Sequence, residues 1–274
     1  MRNYFILLIF ILGLSIQSIA QGDLLVTPKR VVFDGNKRTE RLNLVNIGQD
    51  TNSYTISFLQ KKMTEDGSFI NIMEPEAGQF FADPYLRVFP RVVVLAPGEP
   101  QTVTLQFRRG ADMQEAEYRS HLYFRSEANY QPLGMEGREA DSSALLNVQL
   151  IPVFGISIPV IIRNGNLNVS TTISDIALMN IPGADQNLKL TLNRTGTSSV
   201  YGNVKIDFIP SRGKAYEVGI VKGISVYTNL SKRNILVRLT NTKEVPLENG
   251  KLRVQYISND DNKTVVYALG EIDL

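Results

Sequence analysis

Ala144-Leu145-Leu146-Asn147-Val148-Gln149-Leu150-Ile151-Pro152-Val153-Phe154-Gly155-Ile156-Ser157-Ile158-Pro159-Val160-Ile161-Ile162 is the stretch on which the reading of the fold turns. Leu146, Val148, Leu150, Pro152, Phe154, Ile156, Ile158, Val160 and Ile162 put an apolar or proline side chain at every even position. A period of two is the signature of an extended chain with one face buried. At ~3.3 Å per residue the run would reach roughly 60 Å, about three times the ~17–20 Å of an ordinary strand. One small sandwich cannot cover that length. Pro152 and Pro159 lack an N–H, which directs the strand to a sheet edge or a bulge. Two readings follow. The run is either the last strand of one domain, a bend and the entry to the next, or a strand offered to a partner by β-augmentation. Burying three or four such side chains would contribute roughly 4–12 kcal/mol, at ~1.5–3 kcal/mol each. An uncovered apolar edge would also permit self-association.

Working outward, the same period recurs in both directions. Arg30-Val31-Val32-Phe33, Arg41 to Val45, Tyr54 to Leu59, Val92 to Leu95, Thr102 to Phe107 and His121 to Phe124 read as short strands. Turn residues such as Asp34-Gly35 and Ala96-Pro97-Gly98 separate them. Downstream, Leu188 to Leu192, Val204 to Phe208, Asn234 to Leu239, Leu252 to Ile257 and Val265 to Leu269 repeat the character. Residues 63–86, broken by Pro75, Gly78 and Pro84, read as an irregular crossing segment. No stretch reads as a convincing helix. Short β-rich runs at this spacing indicate β-sandwiches. The turn cluster Asn164-Gly165-Asn166 is the best boundary, giving one domain over residues 21–163 and a second over 166–274.

The chain opens with Met1-Arg2-Asn3, the apolar run Phe5 to Leu14, and Ser18-Ile19-Ala20. A basic start, a short apolar core and small residues at a cleavage site form an export signal, with cleavage expected after Ala20. The full 274-residue chain has 29 Lys+Arg and 27 Asp+Glu, a net charge of +2, which gives no electrostatic footprint for nucleic acid. Zero cysteines and one histidine rule out thiol chemistry, Cys-ligated metals and multi-His sites. No metal or cofactor is expected. His121 sits inside an alternating run with no G-x-S-x-G elbow in the chain, and reads as structural. Asp260-Asp261 reads as hairpin chemistry, and Tyr118, Tyr123 and Tyr130 as sheet packing. Nothing in the sequence looks catalytic.

Three segments together carry a resemblance. Thr27-Pro28-Lys29-Arg30-Val31-Val32-Phe33-Asp34-Gly35 is similar to the first strand of the periplasmic pilus-assembly chaperones. Val88 to Gly98, continuing through Gln101 to Arg108, resembles their central signature. Glu117-Tyr118-Arg119-Ser120-His121-Leu122 is similar to the F-strand motif of a divergent branch of that family. The likeness covers residues 23–163 well, and 166–274 only as a second immunoglobulin-like domain.

The resemblance implies an all-β protein of two immunoglobulin-like sandwiches in an L-shaped arrangement, without enzymatic activity. It implies that the long run is a G strand lent to pilus or fimbrial subunits that lack a strand. Leu146, Val148, Leu150 and Pro152 would be the donated side chains. An outer-membrane usher would receive the subunit. Arg30 falls on the family's cleft arginine, which pairs with the subunit's terminal carboxylate; read without the resemblance, it is a solvated strand charge. The family's second anchor is a lysine four positions before an interdomain arginine. With Arg163 as that arginine, this chain has Pro159 there, and Arg119 or Arg91 is the expected substitute. The competing expectation is a structural surface or filament-associated protein.

Overall fold

A computed structural model describes residues 23–127, 153–179, 186–240, 247–259 and 264–274. The export signal with its cleavage site, the four expected donor positions Leu146, Val148, Leu150 and Pro152, and Tyr130, Asp260 and Asp261 lie outside the described residues. The described residues contain no α-helix, only a short 3-10 turn at Asp83–Tyr85.

The first half supplies β1 (Leu24–Thr27), β2 (Val31–Phe33), β3 (Thr39–Asn46), β4 (Asn52–Leu59), β5 (Lys61–Met63) and β6 (Phe69–Asn71). It continues with β7 (Leu86–Phe89), β8 (Val92–Leu95), β9 (Pro100–Phe107), β10 (Ala116–Glu127) and β11 (Gly155–Asn164). One sheet runs β1-β3-β9-β7 and the facing sheet β2-β11-β10-β4-β8. Every pairing is antiparallel except β2 with β11. Alternation decides which side chains meet between the sheets. Leu42 and Leu44 of β3, Val103 and Leu105 of β9, and Leu122 and Phe124 of β10 enter one core with Ile158, Val160 and Ile162 of β11.

The second half supplies β12 (Val169–Met179), β13 (Asn187–Gly196), β14 (Val200–Pro210), β15 (Tyr216–Val226), β16 (Lys232–Arg238), β17 (Gly250–Ser258) and β18 (Val266–Asp273). These form sheets β12-β13-β16 and β15-β14-β17-β18 around a separate core built on Leu188, Leu190, Leu192, Val204, Ile206, Leu252 and Val254. Between the halves, Gly165 takes φ +90°, a conformation open to glycine at little cost. A Cβ there would lie 2.2 Å from Glu115 Cγ. That close approach lets Glu115 Oε1 accept the Asn166 N–H at 2.8 Å, while Asn164 Nδ2 donates to Gln114 O at 2.7 Å.

The segment 63–86 is more ordered than its sequence suggests. Asp66-Gly67 closes a β5–β6 hairpin: Gly67 has φ +88°, and its N–H donates to Thr64 O at 2.9 Å. The Asp66 carboxylate accepts the Ser68 N–H and hydroxyl. An Asp-Gly pair between short strands is a strong hairpin signal, masked here by the prolines and glycines that follow it.

One long strand shows where an outer surface is covered. Along β10, Tyr118, Ser120, Leu122 and Phe124 face the core, so Glu117, Arg119, His121, Tyr123 and Arg125 face outward. A half-solvated strand should then alternate buried and exposed. Glu117 and His121 are instead each only 3% exposed, and outward Ile161 of β11 is fully buried. The second sandwich and the β5–β6 hairpin cover this end of the sheet, as the contacts below show.

Two core truncations test the two cores. Leu105→Ala and Leu190→Ala, at fully buried positions, should each lower unfolding free energy by about 2–5 kcal/mol in urea titrations. Leu25→Ala, at an exposed position, should shift it by no more than about 0.5 kcal/mol.

Candidate functional site: an interdomain arginine cleft beside an open strand edge

The cleft is organised on Glu117. Its Oε2 accepts the Ser199 N–H and the Ser199 hydroxyl, each at 2.8 Å, 82 residues away in the second sandwich. Its Oε1 is ion-paired to Arg119 Nη2, and Arg163 Nε stands 3.5 Å from Oε2. Burial pushes the Glu117 pKa up, but Arg119, the two Ser199 donors and Arg163 outweigh it and hold the carboxyl below its ordinary value. A buried carboxylate given that many partners stays ionised. Arg163 also donates to Ser199 O at 3.1 Å and lies 3.8 Å from Asp34 Oδ2, so it touches both sandwiches.

Arg119 and Arg30 line the rest of the cleft. Arg119 lies with its guanidinium 3.5 Å from the centre of the Tyr227 ring, a cation–π contact, and its side chain is only 10% exposed. Its Nε is buried without a hydrogen-bond partner. Arg30, just before β2, stacks 4.7 Å from the Tyr201 ring centre, and its Nη1 donates to Ser225 Oγ at a long 3.4 Å. Its Nη2 is also buried without a partner. Desolvation draws the Arg30 pKa below its usual value; Tyr227 and Glu117 oppose this, while Arg119 and Arg163 add to it. Two guanidinium groups with unused N–H donors, only one of them ion-paired to the buried carboxylate, favour an incoming anion, and carboxylate geometry suits their forks.

Arg91 is elsewhere. Arg30 precedes β2 at one edge of the five-stranded sheet, whereas exposed Arg91 precedes β8 at the opposite edge, where its carbonyl accepts the Ile56 N–H. Of the two expected substitutes, the fold brings Arg119 and not Arg91 to Arg30.

Sequence reasoning missed Glu117 as a junction, because a glutamate at an outward strand position reads as a solvated charge. It also missed Arg194, whose guanidinium donates to Leu230 O, Gly196 O, Ser198 O and Thr228 O at 2.8–3.0 Å. That group holds the two loops carrying Ser199 and Tyr227. His121 is packed between Phe69 and Tyr227, with ring centres 5.6 and 6.2 Å away, and its Nε2 lies 3.4 Å from Tyr227 Oη. Burial, then the charges of Arg119, Lys61 and Arg30, lower its pKa to about 3.

Beside the cleft, the outer edge of β11 is unpaired ahead of residue 160 among the described residues. Ser126 N–H donates to Phe154 O at 2.9 Å, and Phe154 N–H to Ser126 Oγ at 3.1 Å, so position 154 turns its polar groups toward the β10 side. Antiparallel alternation then aims the even residues of β11 at β10 and the odd ones at the opposite edge. Among the described residues, that outer edge is paired only at 160–162, by Val31–Phe33 of β2. Gly155 and Ser157 face outward ahead of it. Pro159 is also an outward position, so its missing N–H costs the β10 ladder nothing. Val153 and Phe154, at 45% and 52% exposure, lead into the edge.

Two measurements check this site. Glu117→Gln would leave Arg119 and Arg163 without their buried counter-charge and should cost about 3 kcal/mol or more in urea unfolding. His121 gives a pH test. Between pH 6.5 and about 3 the unfolded chain binds a proton at His121 that the folded chain refuses. This residue therefore makes stability fall as pH falls below 6.5, by at most about 1.4 kcal/mol per pH unit. His121→Phe should flatten the slope between pH 6.5 and about 5, above the range where carboxylates titrate.

No protein-family model matches this chain, and no curated protein matches it. Solved structures do. The chain is similar to the YadV chaperone at 14% identity and TM-score 0.45, covering 92% of this chain and 100% of that one. It is similar to the Pseudomonas aeruginosa CupB2 chaperone at 13% identity and TM-score 0.43, covering 91% and 100%. It is also similar to a chain of the CsuC–CsuE chaperone–tip adhesion subunit pre-assembly complex from archaic chaperone-usher Csu pili of Acinetobacter baumannii. That match has 12% identity and TM-score 0.44, and covers 92% and 99%. Identities this low and TM-scores below 0.5 leave the function to be argued from the cleft and the strand edge.

Proposed function

We propose that this protein is an exported, non-enzymatic chaperone. It lends the outer edge of β11, and the apolar run ahead of it, to pilus or fimbrial subunits whose own sandwich lacks a strand. The observation that carries this reading is the open edge of β11 running into a cleft with two partly unsatisfied guanidinium groups. A strand added there gains ladder bonds from its backbone at ~0.5–1.5 kcal/mol each. The even-numbered apolar side chains upstream, Leu146, Val148, Leu150 and Pro152, would fill the client's open core. Arg30, with Arg119 adjacent, would hold the client's terminal carboxylate at the end of the added strand. Arg163 fastens the two sandwiches, taken as residues 21–163 and 166–274, around that point. Site of action would be the periplasm, reached through a leader cleaved after Ala20, with an outer-membrane usher receiving the client.

The deciding experiment captures the tagged mature protein from its native periplasm and identifies co-purifying chains by mass spectrometry. A one-to-one complex with a small β-rich exported protein, released by a competing peptide strand, is expected. Recovery of the protein alone, or firmly within sheared filaments, would replace this reading with a structural surface role. In the captured complex, Leu146→Asp or Leu150→Asp should abolish binding while circular dichroism stays unchanged. Arg30→Ala should weaken binding by about tenfold or more, the loss of a charge-assisted hydrogen bond of ~1.5–3 kcal/mol.

A further inference from the structure

The β5–β6 hairpin belongs by sequence to the first sandwich, yet its tip is built into the second. Asn234 of β16 donates its backbone N–H to Glu65 O at 2.7 Å. β16 ends its sheet, pairing with β13 on one side, so the hairpin tip closes part of its open side. Asn229 Nδ2 donates to Met63 O at 2.8 Å, and Lys232 Nζ lies 3.5 Å from Glu65 Oε2. Arg233 passes so close to Gly67 that a Cβ there would lie 2.2 Å from its Nη2, and the same guanidinium reaches Ser225 O. Phe69 packs against both His121 of the first sandwich and Tyr227 of the second, with ring centres 5.6 and 5.7 Å apart.

The hairpin also makes the cleft one-sided. On the flank where its Lys61 meets Phe80, Phe81, Arg119 and Thr228, the space left amounts to about 10 Å³, room for roughly one water. On the other flank a groove of about 550 Å³ lies open between Val32, Asp34, Arg163, Tyr201 and Tyr267.

We propose that this hairpin is an interdomain latch. It locks the angle between the two sandwiches and shuts the Arg119 mouth of the cleft, leaving the Arg163–Tyr201 groove as the way in. The latch is distinct from the Glu117–Ser199 junction, because it acts from β5–β6 onto β16 rather than from β10 onto the Ser198-Ser199 loop. Its existence does not depend on what the cleft binds.

The chain has no cysteine, so spin labels can be placed cleanly at exposed Arg41 and Arg212. Pulsed dipolar spectroscopy on the mature chain then reads the angle. Phe69→Ala removes the two-sided ring, and Gly67→Val both displaces Arg233 and forces a β-branched residue into φ +88°. Each should at least double the width of the distance distribution while far-UV circular dichroism stays that of the parent. An unchanged distribution in both variants overturns the latch. If either variant fails to fold, the unmodified protein still decides the matter by native-state hydrogen exchange. The Asn234 amide should be protected within tenfold of the Leu190 amide inside β13. Exchange at the rate of an unpaired edge overturns the proposal.

Discussion

One buried carboxylate sits at the junction of the molecule's two halves and constrains how they meet. Glu117 is an outward-facing residue of a strand whose outward face ought to be wet, and it is ionised in a place with little water to stabilise it. Four donors replace that water: two from Ser199 of the other sandwich and two arginines. Take them away and the charge has no reason to be there. The ion group is therefore less a source of net stability than a geometric requirement, since a buried charge tolerates only the arrangement that satisfies it. Its neighbours follow. Arg119 is held over the Tyr227 ring, His121 is kept neutral between two rings, and Arg194 braces the loops that bring Ser199 and Tyr227 into place.

The same requirement explains the cleft's leftover chemistry. Glu117 can satisfy Arg119 and part of Arg163, but it has no capacity left for Arg30. Tyr201 and Tyr227 take up the faces of two guanidinium groups, which neutralises their stacking surfaces and leaves edge N–H groups unused. A site with more cationic donors than acceptors is tolerable only where something anionic visits or where the groups stay partly wet. Arg30 is partly buried, with one Nη inside the protein and no partner for it.

Much of the architecture could be read from period-two alternation, because alternation is a local consequence of which face of a strand is buried. The strands at Arg41–Val45, Thr102–Phe107, Leu188–Leu192 and Leu252–Ile257 show it plainly. The β5–β6 hairpin escaped because its strands are three residues each, too short to establish a period. Arg30 and Arg119 were legible as candidates through the resemblance. Glu117 was not, nor was its partner Ser199, since no local rule connects residues 82 apart. Their pairing exists only once two sandwiches have been docked. The separation of Arg91 from Arg30 is likewise a property of sheet order, and nothing in the flanking residues encodes it.

Pro159 has a consequence for the strand that already lies on this edge. The β2 segment runs parallel to β11 and meets it only from Val160 onward. Were β2 to creep one step toward the start of β11, the next outward donor it would need is the N–H of residue 159, which does not exist. The proline thus acts as a mechanical stop. It disfavours the spread of the chain's own N-terminal segment over the edge positions ahead of it, residues 153–158 among those described.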